Sequence, residues 1–349
     1  MAATRQELDL PLQLGPLKLT PYVLGEIAYW QQDRDESELT RAYGQAGLRA
    51  SLPFWKVDPN VRSDLFNLNG LAHKLSLEAK GFYADANQQL SRLPLYEPLQ
   101  DDATEHFQRR FIENLFGGTL PKKYDDRYFA FRSGMQDWVT APSTEIANTL
   151  TSIQLALRQK WQTKRGAPGQ EHIVDWIMFD VEGTIFPYSS RDNSVQTLGL
   201  LNYDFRWQVG DRFALLSDGF MDFFEGGLQT FSLGGTLSRP DHGSLYLGVR
   251  TIHGPISSNI ISTAVNYRMS EKWILNATAS VALGDTGNVG ESINLIRIGE
   301  SMLVQLGIYG DQSRGTVGAN FSIEPRFMAG ALGRVGGVPV TPAGALGLE

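Results

Sequence analysis

From Leu201 to Gln208 the chain alternates without a break. Leu201, Tyr203, Phe205 and Trp207 are apolar, and Asn202, Asp204, Arg206 and Gln208 between them are polar. Successive side chains of a β-strand leave on opposite sides, so this pattern fits a strand with one face in an apolar medium and the other in a polar one. The same arrangement returns near the end. Val317, Ala319, Phe321, Ile323 and Phe327 alternate with Thr316, Gly318, Asn320, Ser322, Glu324 and Arg326. Strand-like runs joined by a few Gly, Asp, Asn or Ser residues fill the interval, so Gly199 to Phe327 reads as an antiparallel meander. Arg206, Arg239, Arg268 and Arg297 recur at spacings of 33, 29 and 29 residues. Each is expected to end a strand before a tight turn, which makes the repeat a hairpin of about thirty residues.

The pattern continues upstream. Leu17–Trp30, Thr40–Trp55, Leu71–Tyr83, Ile146–Lys164 and His172–Phe186 read as strands, which brings the total to about fourteen. Gln31–Leu39, Lys56–Leu68, Arg165–Gln170 and Pro187–Leu198 read as connections. Ala84–Ser143 breaks the rhythm with a polar, aromatic, turn-rich excursion of 60 residues. Within it, Asp102–Phe116 predicts a short helix that places Phe107, Phe111 and Leu115 on one face and stops at Gly117. Loops of this length are usually functional, and the plainer reading has its aromatics packing on the chain's own barrel mouth. Long connections fall on one end of the sheet and short turns on the other, the habit of outer-membrane barrels with the long side outward. Residues 328–349, rich in Gly, Ala and Pro, read as a flexible tail.

Alternation alone does not say which face is inside, because a soluble sandwich or a lipocalin-like barrel alternates too. Membrane placement is favoured by the loop asymmetry, by the strand number, and by aromatics near strand ends: Tyr29, Tyr203, Trp207, Tyr267, Trp273 and Phe327. The sequence holds no apolar run of about 18 residues and so no transmembrane helix, yet a membrane barrel leaves only this weaker trace. A net charge of −7 does not favour a nucleic-acid partner. With no cysteine there are no disulfides, no thiolate-bound zinc and no thiol chemistry. The five histidines (His73, His106, His172, His242, His253) have no metal-ligand spacing, so neither metal nor cofactor is expected. Asp180 and Glu182, two apart on one strand face, could form a glycosidase-like carboxylate pair; a polar wall is the simpler reading, and no enzyme is expected. Met1–Glu7 carries no apolar signal region, which fits either a cytoplasmic protein or the C-terminal part of a longer exported chain; the strand pattern that begins at once over residues 8–20 favours the second as the expectation.

Thr316, Gly318, Phe321 and Ile323 follow the order polar, Gly, aromatic, hydrophobic. This resembles the β-signal by which the barrel-assembly machinery recognises a last strand, with Pro325 interrupting its end. Several longer stretches are similar to the C-terminal barrel of the LptD family, also called organic solvent tolerance protein OstA. They are Leu8–Pro16, Gly47–Trp55, Asn67–His73, Trp138–Glu145, Leu201–Trp207 and Gly254–Asn259, and the likeness covers most of residues 8–327.

The resemblance implies an all-β outer-membrane barrel portion spanning residues 1–327, with 84–143 as an extracellular loop. It implies a transport role, the assembly of lipopolysaccharide or a related glycolipid into the outer leaflet. Its partners would be an LptE-like plug lipoprotein, the barrel-assembly machinery and outer-membrane lipids. Lys74, Glu78, Asp180, Glu182, Asn202, Asp204, Arg206, Asn320 and Glu324 would line the lumen. The last strand would close in a weak seam that Pro325 loosens. Strand Leu17–Trp30 would open this portion with its outer edge awaiting an upstream strand. The jelly-roll domain and the cysteines of many relatives have no counterpart here. A porin-type barrel and a soluble β-rich ligand-binding protein are the alternatives.

Overall fold

The described residues form sixteen strands: β1 (Ala2–Asp9), β2 (Leu12–Leu14), β3 (Leu17–Trp30), β4 (Leu39–Ser63), β5 (Leu68–Ala86), β6 (Leu150–Arg165), β7 (His172–Ile185), β8 (Leu198–Gln208), β9 (Phe213–Asp222), β10 (Gln229–Arg239), β11 (Gly243–His253), β12 (Ser258–Arg268), β13 (Trp273–Ala282), β14 (Asn288–Ile298), β15 (Met302–Asp311) and β16 (Thr316–Pro325). This computed structural model describes residues 1–32, 37–93, 128, 130, 132–134, 147–167, 169–239, 242–254, 257–283, 288–311 and 315–325. The strands make one antiparallel meander in chain order, with β2 pairing only β3. Besides one 3-10 turn, Leu90–Arg92, a short helix at Ser189–Asp192 interrupts the pattern.

The fourteen expected strands are β3 to β16, and β3 has the expected bounds. Two expectations fail at the N-terminal side. β3 is not an open edge, because β1 pairs with its far half (Ala2↔Tyr29 to Asp9↔Tyr22) and β2 with its near half (Leu12↔Leu19). The two are one strand broken at Leu10–Pro11, where proline supplies no N–H to the ladder. Lys56–Leu68 is not a connection either: β4 runs on to Ser63, and only residues 64–67 turn. The expected helix at Asp102–Phe116 lies outside the described residues, as do Arg326 and Phe327.

The repeated arginines do not share a face. Arg206 lies opposite Met178 on the polar side, whereas Arg297 lies opposite Trp273 on the apolar side. Tyr203 sits in the middle of β8 rather than near its end, and its hydroxyl meets Ser217 Oγ at 2.9 Å. Among the described residues β1 and β16 are the free edges. Both run from the long-loop end to the short-turn end, so pairing them directly would be parallel.

Burial separates the two faces. Glu26 is 3% exposed and its neighbour Ile27 is 61% exposed; Gln305 is 2% exposed and Leu306 is 59% exposed. On these two strands the polar side chain is covered while its branched aliphatic neighbour stands bare, the reverse of a water-soluble sheet; on β8 the polar face is open, with Asn202, Asp204 and Arg206 exposed. The buried apolar cluster lies on the polar side at the long-loop end. There Trp30, Tyr43, Phe82, Leu150 and Phe186 receive Leu90 and Leu93 from the segment that follows β5.

Candidate functional site

The polar face carries the chain's chemistry. Register places its residues in transverse rows, because residues directly opposite on antiparallel strands share a face. One row runs Arg158, Asp180, Asp204, Asp218, Ser232, Arg250 from β6 to β11. Three aspartates thus stand opposite one another on adjacent strands, an arrangement that like-charge repulsion disfavours. Arginines flank them. Arg158 reaches Glu78 at 3.1 Å, Glu182 at 3.2 Å and Asp180 at 3.8 Å. Ser232 donates to the Asp218 carboxylate.

A second group ties β1 to the wall. Glu26 lies between Arg5, at 2.7 Å, and Arg41. Arg41 also stacks over the Trp30 ring and Arg5 over Tyr43. Lower on the same face, Gln45 donates to the Tyr22 hydroxyl at 2.7 Å, and Arg49 pairs with Glu7 at 2.9 Å while lying over the Tyr22 ring.

A third group joins the excursion after β5 to the wall. Arg132 donates to both oxygens of Asp222 on β9, at 2.8 and 2.7 Å, and its guanidinium lies against Phe186 and Phe224. Arg132 is 5% and Asp222 4% exposed, so this part of the excursion packs on the polar face of the sheet. Beside it, in the β7–β8 connection, Asp192 accepts from Arg191 at 2.5 and 2.7 Å and holds that guanidinium above its ordinary value, against the effect of burial.

The residues expected to line a lumen take these places. Lys74 and Arg206 fall in one row, Asp180 and Asp204 in the next, and Glu78, Glu182 and Asn202 in the third. Asn320 and Glu324 lie on the polar face of β16, with Thr316 and Gly318. Phe321 and Ile323 point the other way and are exposed. Pro325 is the last residue of β16, opposite Met302. Asp180 and Glu182 both lie within ion-pair reach of Arg158. Among the described residues no group of His, Cys, Asp and Glu is arranged to hold a metal ion. Arg158, Asp218, Arg132 and Asp222 were not expected at the site; the first two are grouped by register across strands, and Arg132 meets Asp222 from the excursion 90 residues away.

No protein-family model and no curated protein matches this chain. Among solved structures it is similar to one described as "Asymmetric conductivity of engineered proteins", at 10% identity over 92% of this chain and 99% of that one, with a TM-score of 0.35. It is also similar to two mutants of Rh. blastica porin. One has 11% identity, covering 92% and 96% of the two chains, TM-score 0.36; the other has 10%, 88% and 98%, TM-score 0.35. Likeness at this level fixes neither cargo nor mechanism.

Proposed function

We propose that this sheet is the wall of an outer-membrane β-barrel and that its polar face guides cargo rather than catalysing a reaction. The observation that carries this reading is the inversion of burial: Glu26 and Gln305 are covered while Ile27 and Leu306 stand bare. Such a sheet is stable where the bare face meets hydrocarbon. The height of the apolar face agrees. On β5 it extends from His73 to Tyr83, about 33 Å along the strand at 3.3 Å per residue, or about 25 Å across a sheet tilted by some 40°. Interfacial side chains bound it at the short-turn end: His73 stacks on Trp161 at 4.5 Å and Arg297 lies over Trp273.

Closure follows from strand direction. Because β1 and β16 run the same way, antiparallel closure takes an odd number of further strands between them. In lipid those strands remove two rows of unpaired backbone groups that would each cost several kcal/mol. The finer reading, taken from the family resemblance, is assembly of lipopolysaccharide or a related glycolipid, with an LptE-like lipoprotein as plug and the barrel-assembly machinery recognising β16. Two features support it: a polar wall able to receive sugar head groups, and a free edge at β16 where a further strand could form a seam. A porin-type pore is the alternative, favoured by the excursion packing onto the polar face, where it would narrow a channel.

Arginine in place of Leu201, Phe205 or Val317 is expected to cost about 2–4 kcal/mol of folding free energy in bilayers at mid-membrane depth, and far less at Asn202 or Ser322. Equal costs on the two faces in a vesicle folding assay would refute the membrane placement.

A further inference from the structure

The polar face is not uniform. From β5 to β11 its middle is charged. From β12 to β16 its middle is neutral, built of amides, hydroxyls and small residues; the aliphatics Ile260, Ile274, Ile296 and Leu303 and the charged Arg268, Asp311 and Glu324 lie toward its ends. A single row crosses this sector: Asn266, Asn276, Asn294, Gly307, Asn320. Asparagine is depleted in strands, and four in one row leave the centre of the wall without either charge or apolar packing. Gly307 is the notch of the row. A Cβ there would lie 2.0 Å from both Asn294 Oδ1 and Asn320 Oδ1, so the two amides converge over the bare backbone. Gln305 donates to Asn294 Oδ1 at 3.0 Å, while its own Oε1 and Asn276 Oδ1 are buried with no hydrogen-bond partner among the described residues. The row above holds hydroxyls, with Thr278 and Ser292 in contact at 2.8 Å.

We propose that this amide row is a binding track for a neutral polyhydroxyl chain, an uncharged oligosaccharide, in the conduit proposed above. It rests on that reading. Amides and hydroxyls each present a donor and an acceptor, and here they recur with the strand spacing of about 4.8 Å. A polyol can satisfy both kinds of group, whereas an anion meets only part of the row and a cation finds no carboxylate in it. Buried acceptors left open, such as Gln305 Oε1, cost stability unless something donates to them. The glycan portion of a lipid and a free sugar share this chemistry.

The test uses the whole chain in nanodiscs, with insertion first confirmed by quenching of tryptophan fluorescence with brominated lipid. Maltohexaose is then titrated by calorimetry, with the uncharged glycolipid digalactosyldiacylglycerol in the disc as a second arm. Binding in the first arm marks a free sugar as sufficient, and binding in the second alone marks a lipid-borne one. Either is expected to weaken at least tenfold in Asn294→Leu, in Gly307→Val, and in Asn320→Leu, whose exposed edge position makes it the variant least able to unfold the sheet. Val304→Leu on the opposite face of β15 should leave binding unchanged. Hexagalacturonate should bind at least tenfold more weakly than maltohexaose. An inserted chain that binds neither probe, or binds equally well in Asn320→Leu, overturns the inference and leaves the barrel reading standing. A chain that does not insert overturns both.

Discussion

Replacing Glu26 with alanine should destabilise the folded chain by about 3–5 kcal/mol, the cost of breaking a buried ion pair from one side. Glu26 is buried and serves two arginines, Arg5 from β1 and Arg41 from β4. Its removal leaves two guanidinium groups on a covered wall without their carboxylate. β1 also loses one of its side-chain ties to the wall, while its ladder to β3, the Arg5 contact with Tyr43 and the Glu7–Arg49 pair remain. Glu26→Gln keeps an acceptor and should lose less. Guanidinium unfolding in lipid vesicles measures both. A Glu26→Ala loss under about 1 kcal/mol, the range of surface pairs, would mean that the triad is solvated and that the wall is not covered as described.

Asp222→Ala should release the segment around Arg132. Both side chains are buried, and the bidentate contact at 2.7 and 2.8 Å is the polar tie between that segment and β9. A loss of about 3–5 kcal/mol in docking corresponds to roughly 10²–10⁴-fold more of the released form. Trypsin cuts after arginine, so cleavage at Arg132 should accelerate by a similar factor while the sheet stays folded. If the excursion narrows a channel, the same substitution should also raise conductance. Unchanged protection of Arg132 would show that Phe186, Phe224 and the rest of the packing suffice without the ion pair.

These two groups illustrate what the amino-acid pattern could and could not convey. β3, β8 and β16 were legible because their apolar and polar sets never mix, and period two then fixes both strand and face. β1 was not, because Ala2-Ala-Thr-Arg-Gln-Glu-Leu-Asp9 has no apolar alternation. It is a strand because Arg5 and Glu7 meet Glu26 and Arg49 across the sheet, a long-range complementarity that no local pattern carries. The extension of β4 past Trp55 was obscured by Pro59 and Asn60, which read as turn residues, and the ladder shifts register there between Asp58 and Arg62. The face of each expected lining residue followed from parity along its own strand. The rows did not. That Asp180, Asp204 and Asp218 align, or that Asn266, Asn276, Asn294 and Asn320 share a row, depends on turn lengths that set register across several strands.

The central claim is that the apolar face meets lipid and the polar face meets water. The chain has no native cysteine, so single cysteines can be placed along β16 without background. The account predicts a period-two result. Cysteines at 317, 319, 321 and 323, carrying a bimane label, should be quenched by brominated lipid; those at 318, 320, 322 and 324 should instead react with a membrane-impermeant maleimide in intact vesicles. Equal reactivity with the water-soluble reagent at all eight positions, with no lipid quenching at any, would contradict it.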